Sequence, residues 1–318
     1  MTKSEVLTVT LNPSIDKTIV LPELRVGSLN RTSEVRLDPG GKGINVARLL
    51  HEFGVGVTAA GWSGGAEGEA LMGYLKRDGI AASFTPVQGR TRTNLKIVDS
   101  SKELTTEINE AGAVVTEAEL AAFIRDFTLL LEDVSYLILG GSIPPGVPDT
   151  IYARLAGIAR EHGVKTVLDA DGEALREGLQ AVPFAVKPNI HELERLLGRT
   201  LASDEEIVEA ARELLGQGVS IVIVSMGEAG SIAVSGQEAY RVKPFEITVK
   251  STVGAGDSMV ACLVHCLLQG KGLRDIAAWT AAAGTLTASK EGTQLCTLAE
   301  VQEHVHRVEV HSIGVHPL

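Results

Sequence analysis

From about Thr116 onward the chain settles into one rhythm, and that rhythm leaves few folds open. A helical pattern over 117–131 is followed by the apolar run "SYLILGG", a helix from Asp149, the run "VKTVLDA", a short helix, "FAVKP", two more helices and "VSIVIVS". Runs this short and this continuously apolar read as strands buried on both faces, and strands that alternate with helices pair in parallel. The expectation is an α/β protein whose parallel sheet carries helices on each side. Upstream, "EVLTVTL" reads as a first strand, 43–53 as a helix, "VGVTAAGW" as a further buried strand and 67–76 as a helix.

Four segments do not fit that buried sheet. "KTIVL", "RTSEVRL", "TRTNLKIVD" and "ELTTEI" mix polar and apolar residues as half-exposed strands do. They are assigned to a small separate sheet, inserted at about 12–37 and 90–109, that serves as a lid or a subunit contact. At 318 residues, with no internal repeat or low-complexity linker, the whole of 1–318 is read as one domain carrying that insertion.

A formal net charge of −11 argues against nucleic acid or an anionic membrane as the main partner. If the ligand is an anion, its cations must be gathered locally. The N-terminal "MTKSEVLTVTLNP" has no basic region followed by a long apolar run, and no window approaches a membrane span, so the chain reads as cytoplasmic. Three cysteines without a CxxC pair support neither a disulfide framework nor a zinc knuckle. Cys262, His265 and Cys266 share a helical turn but have no fourth ligand nearby in sequence, so they read as buried core. His304, His306, His311 and His316 read as solvated surface.

In an open parallel sheet, ligands bind beyond the carboxyl ends of the strands. "NPSID", "GGSIPPG", "DADGE", "KPNIHE" and "SMGEAG" each stand directly after a predicted strand. Any one could be turn chemistry alone. The stretch "STVGAGDSMVACLVHCLLQG" sets a glycine turn before an apolar helix, so the amides of Ala255, Gly256 and Asp257 are expected to point unpaired at an anion. Asp257 is then either a helix cap or a carboxylate placed to take a hydroxyl proton.

"PGGKGINVAR" departs from the nucleotide-binding G-x-x-x-x-G-K-S/T pattern, because Lys42 is followed by Gly43 and Ile44. It is either a plain turn before a helix or a close backbone approach to a polyhydroxy ligand, with Lys42 and Asn45 as donors. In "GRTRTNLKI", Arg92, Asn94 and Lys96 alternate, so on a strand they share a face. That face is either solvated or the positive patch a sugar phosphate needs, and Arg90 is a further candidate for it.

"TLNPSID", "GGKGINVAR", "TRTNLKI", "GGSIPPG", "KPNIHELE" and "STVGAGDSM", in order from residue 6 to about 300, resemble the PfkB (ribokinase-like) carbohydrate kinases. The resemblance implies a three-layer α/β/α fold with a mostly parallel sheet and a small β-sheet lid that pairs subunits into a homodimer. It implies Asp257 as catalytic base, with Gly254, Ala255 and Gly256 as anion hole. Asp16, Gly41, Lys42 and Asn45 would bind sugar hydroxyls, and Arg92, Asn94 and Ser142 the substrate phosphate. Lys187 and Asn189 would contact ATP phosphates, Glu192 would order Mg2+ through water, and Ser225 to Gly230, with Gly227 between them, would form the ATP loop. "SKEGTQLC" is similar to the segment that closes over adenine and, in some members, helps bind K+.

Within the family, the motifs look most like the kinases of fructose 1-phosphate, with kinases of tagatose 6-phosphate or fructose 6-phosphate the near alternative. A non-catalytic sugar-phosphate-binding regulator is the reading from another class. Intact "GAGD" and "KPNIHE" count against it, since a regulator needs neither a base nor a magnesium-ordering carboxylate.

Overall fold

A computed structural model describes residues 5–314 apart from 103 and 237; His316 and the first four residues of the N-terminal stretch lie outside it. The expected strands form the middle of a ten-stranded sheet. In spatial order it runs Glu309–Ser312, Glu238–Lys243, Ser231–Ser235, Ile221–Ser225, Ala185–Val186, Lys165–Asp169, Tyr136–Gly140, Val6–Thr10, Val57–Ser63 and Ala81–Pro86. From Ile221–Ser225 to Ala81–Pro86 every pairing is parallel, while the three strands beyond Ile221–Ser225 join antiparallel. That antiparallel extension and the Ala81–Pro86 edge were not read from the sequence, where they lack long apolar runs.

Period-two geometry splits each apolar strand between two cores. Val6, Ile138 and Ile223 face the helices Lys42–Glu52, Ala255–Leu268 and Leu273–Ala288, whose apolar residues fill the same core. Leu7, Val9, Leu137, Leu139 and Val222 face Glu117–Leu130, Ile151–Glu161 and Asp204–Gly216. Helices on both faces make the sheet the middle layer of three.

The four irregular segments form their own sheet, ordered Glu34–Gly40, Ser14–Leu21, Arg92–Asp99 and Leu104–Ile108. Ser14–Leu21 pairs antiparallel with Glu34–Gly40 and parallel with Arg92–Asp99. The register puts Asp16 opposite Asn94 and Thr18 opposite Lys96, so these four share one face, and all are buried. The opposite face carries Val35, Leu37, Leu104 and Ile108, each about half exposed. Among the described residues, no helix is long and apolar enough to cross a membrane. Cys262, Cys266 and Cys296 are buried free thiols, and His265 stacks on Trp279 and meets Phe53 edge-on.

Candidate active site

Two helix starts meet beyond the carboxyl end of the first strand. The first is Lys42–Glu52, entered through Gly41 at φ +119°, a conformation that a side chain strains; a Cβ there would also strike the Thr10 methyl at 2.5 Å. The second is Ala255–Leu268, capped by Gly254 at φ +78°. Gly254 occupies the cap, so Asp257 lies within the first turn and its carboxylate makes no capping bond. Asn45 Nδ2 donates to Asp257 Oδ2 at 2.8 Å.

One detail of the expected anion hole changes. The Ala255 amide donates to the Thr252 carbonyl at 3.3 Å, because the glycine turn folds back as a reverse turn. The amides of Gly256 and Asp257 make no hydrogen bond among the described residues, and these two remain for an anion.

Asp257 is buried. Burial pushes its carboxyl above the ordinary range and Asp169 adds repulsion, while Lys42, the Asn45 hydrogen bond and Lys187 pull the other way without overcoming it. Asp169 ends the strand Lys165–Asp169, almost fully buried, with Lys42 Nζ and Lys187 Nζ both 3.2 Å from its Oδ1. Burial opposes its charge, but the two lysines outweigh that and hold the carboxyl below its usual range. Burial also opposes the Lys42 charge, and Asp169, Asp257 and Glu192 together raise it above a free lysine. Lys187 follows the two-residue strand Ala185–Val186, and a methyl on Gly256 would sit 3.4 Å from its Nζ.

Asn189 caps the helix Ile190–Leu197 in a reciprocal box with Glu192. Its Oδ1 accepts from the Glu192 amide at 2.9 Å, and its own amide donates to Glu192 Oε2 at 2.8 Å. The box leaves Glu192 one oxygen outside these bonds and fixes its direction.

On the small sheet, Asp16 accepts from Ser14 Oγ at 2.7 Å, Asn94 Nδ2 at 3.3 Å and Lys96 Nζ at 2.8 Å. Arg92, Asn94 and Lys96 do share a face, yet Lys96 is consumed by Asp16 and Arg90 pairs with Glu67, so neither is a free phosphate cation. Arg92 remains: it donates to the carbonyls of Asn12 and Glu110 and to Ser142 Oγ at 3.2 Å, and makes no ion pair among the described residues. Tyr152 Oη, 2.8 Å from the Gly140 carbonyl and 3.0 Å from that of Gly141, secures the turn that presents Ser142. Arg92, Ser142 and Asn12 line an open cleft of about 430 Å³. A larger cleft of about 510 Å³ is bounded by Ser225, Gly227, Gly230, Phe245, Gly256 and Met259, and so reaches the start of the Ala255–Leu268 helix.

Two residues of this neighbourhood carried no assigned role from sequence: Asp169 and Asn12. Each stood in a stretch noticed for its place after a strand, "DADGE" and "NPSID", and that position was the available signal.

A helix start with two unpaired amides beside a buried carboxylate, at the carboxyl edge of a parallel sheet, is an arrangement suited to a phosphotransferase of the α/β class. Comparison with known proteins carries the class to a family. The family model for pfkB family carbohydrate kinases matches residues 9–300, and the chain belongs to that family. It is 40% identical over 273 residues to the 1-phosphofructokinase of Rhodobacter capsulatus, covering 86% of each chain. The crystal structure of Phosphofructokinase-2 from Escherichia coli in complex with potassium superposes with a TM-score of 0.90 at 31% identity, over 96% of this chain and 99% of that one. The same enzyme's complex with fructose-6-phosphate gives 0.88 at 28% identity, over 96% and 99%.

Proposed function

We propose that this protein transfers the terminal phosphoryl group of ATP to the C6 hydroxyl of fructose 1-phosphate, giving fructose 1,6-bisphosphate and ADP. The observation that carries the reading is the buried Asp257 carboxylate, held by Asn45 beside the unpaired amides of Gly256 and Asp257. The 40% identity to a 1-phosphofructokinase supports the choice of sugar.

In this mechanism Asp257 accepts the C6 hydroxyl proton as that oxygen forms its bond to the γ-phosphorus. The bond to the bridging oxygen breaks in line, and its electron pair leaves on ADP. Developing charge on the phosphoryl oxygens falls on the helix-start amides, with Lys187 alongside. Gly254 and Ala255 shape that turn rather than supply donors. Arg92, Ser142 and Asn12 hold the substrate phosphate, with Asn94 beside them. Asp16, Gly41, Lys42 and Asn45 border the sugar, and Ser225, Gly227 and Gly230 bound the nucleotide cleft.

Around the transfer point stand two ammoniums, Lys42 and Lys187, against three carboxylates, Asp169, Asp257 and Glu192. Such a set cannot accept a triphosphate without added cations. Glu192 offers a hard, fixed oxygen of the kind Mg2+ takes through water, so the residues fit a magnesium ion that Glu192 would hold and that would supply positive charge against the phosphates. Asn189 orients Glu192 through the box. The segment 289–296, where Ser251 Oγ donates to the Gly292 carbonyl at 2.7 Å, is the place for K+ in a potassium-dependent member. The half-exposed apolar face of the small sheet supports a homodimer formed through that lid, and ATP and sugar phosphate as substrates support a cytoplasmic enzyme of one domain.

The test is ADP release on purified protein with ATP and magnesium, comparing fructose 1-phosphate, tagatose 6-phosphate and fructose 6-phosphate by kcat/KM. A preference of about tenfold or more for fructose 1-phosphate, about 1.4 kcal/mol of transition-state discrimination, sustains the reading. Preference for a 6-phosphate keeps the mechanism and moves the acceptor to C1. No turnover with any of the three leaves a sugar-phosphate-binding regulator.

A further inference from the structure

Lys42 and Lys187 come from opposite halves of the site, one from the helix after the sugar-side glycine turn and the other from the nucleotide side. Both ammoniums lie 3.2 Å from a single oxygen, Asp169 Oδ1. Two like charges drawn to one atom repel, and the shared carboxylate offsets that repulsion, with Lys42 Nζ also donating to the Asp169 main-chain carbonyl at 3.3 Å. The arrangement is buried at its centre: Asp169 is 3% exposed and the Lys187 side chain 5%, while the Lys42 side chain reaches outward at 37%. Neither Asp169 carboxylate oxygen has a hydrogen-bond partner among the described residues, so the two ion pairs are what compensates the buried charge.

We infer that Asp169 is a positioning residue for phosphoryl transfer, setting the spacing of Lys42 and Lys187 beside the phosphate-binding helix start. The inference rests on the kinase reading and assigns Asp169 a role exerted through the lysines rather than on substrate. Gly256, one of the two glycines of the turn, lies against Lys187 Nζ, so a displaced Lys187 moves charge directly at the phosphoryl site. Lys42 stands in the field of Asp257 and Glu192, so its displacement alters the neighbourhood of both. Isosteric loss of the Asp169 charge removes the attraction common to both lysines and leaves two mutually repelling ammoniums, of which Lys42 keeps its bond to the residue 169 carbonyl.

The experiment measures kcat, both KM values and the magnesium activation constant for wild type, Asp169→Asn, Lys42→Met, Lys42→Arg and the Asp169→Asn/Lys42→Met double variant, with fructose 1-phosphate and ATP. For Asp169→Asn a fall in kcat of about 10- to 100-fold is expected, the size of a misplaced catalytic group, with magnesium activation within about twofold of wild type. Lys42→Met should also lose turnover and Lys42→Arg recover most of it. The double variant should be no worse than about threefold below the poorer single, because both changes break one unit.

Multiplicative losses in the double variant would show the two residues acting independently and overturn the inference. Recovery of Asp169→Asn by excess magnesium would overturn it too, making Asp169 a metal ligand. Should Asp169→Asn fail to fold, wild-type turnover in Lys42→Met, or failure of Lys42→Arg to rescue, decides against it. Lack of turnover by wild type on every ketose phosphate would remove the kinase reading and this inference with it.

Discussion

Asn45 and Asp257 are 212 residues apart in sequence and joined by a 2.8 Å hydrogen bond that ties the first turns of two helices together. The bond orients the carboxylate and favours its charged form, against burial that favours the neutral one. Asn45→Ala removes that support, so the Asp257 pKa rises further. In the proposed mechanism the base acts ionised, so the acid limb of the kcat profile is expected to move to higher pH, with kcat at its plateau about tenfold lower. An acid limb unmoved, or moved to lower pH, would contradict the assignment.

Asp257→Asn keeps the shape of the helix start and removes the proposed proton acceptor. A fall in kcat of about 10²-fold or more is expected, the usual size of general-base effects, with ATP affinity nearly unchanged. Steady-state kinetics alongside calorimetric ATP binding separate the two effects. Near-normal turnover would remove Asp257 from the mechanism.

The Lys96 and Asp16 side chains, 9% and 12% exposed, form an ion pair inside the small sheet. Removing one partner of a buried pair leaves the other charge uncompensated. Lys96→Met is expected to destabilise the protein by about 3–5 kcal/mol in urea unfolding, and the Asp16→Asn/Lys96→Met double variant to recover most of that loss. A double variant as unstable as the single would mean that packing of the lysine stem, not charge, is what counts.

His265 is buried between Phe53 and Trp279, with Gln269 at 2.9 Å and Lys271 nearby. Burial first and Lys271 second lower its pKa below the free value of 6.5. The folded protein therefore resists a proton that the unfolded chain accepts. The stability tied to a neutral His265 is complete above about pH 6.5 and is lost as pH falls through the lower folded pKa. Unfolding midpoints of wild type and His265→Gln, taken from pH 8 to pH 5, should show a steeper acid decline in wild type. Parallel curves would show that other groups carry the acid sensitivity.

The parts of the site legible in sequence are those whose geometry is local. Gly41 and Gly254 mark positive-φ turns at helix starts, and both turned out where glycine spacing placed them. The alternation of Arg92, Asn94 and Lys96 was likewise enough to put them on one face. What that alternation could not disclose was the partner: Lys96 reads as a phosphate cation until Asp16 appears opposite it, 80 residues away in the chain. Asp169 stayed unassigned for the same reason, since one of its lysines lies 127 residues upstream.

Taken alone, the sequence determined the parallel strands other than the Ala81–Pro86 edge, most of the helices that cover them, the stray strands of the small sheet and the two glycine turns. Each depends on residues within a few positions of one another, through periodicity and backbone freedom. The tertiary structure decided which charges meet: Arg92 without an ion pair among the described residues, Lys96 withdrawn onto Asp16, two lysines gathered on Asp169, and Asp257 turned toward Asn45. Coulomb attraction and burial act through space, so a side chain's role in such a site is set by neighbours that chain order does not reveal.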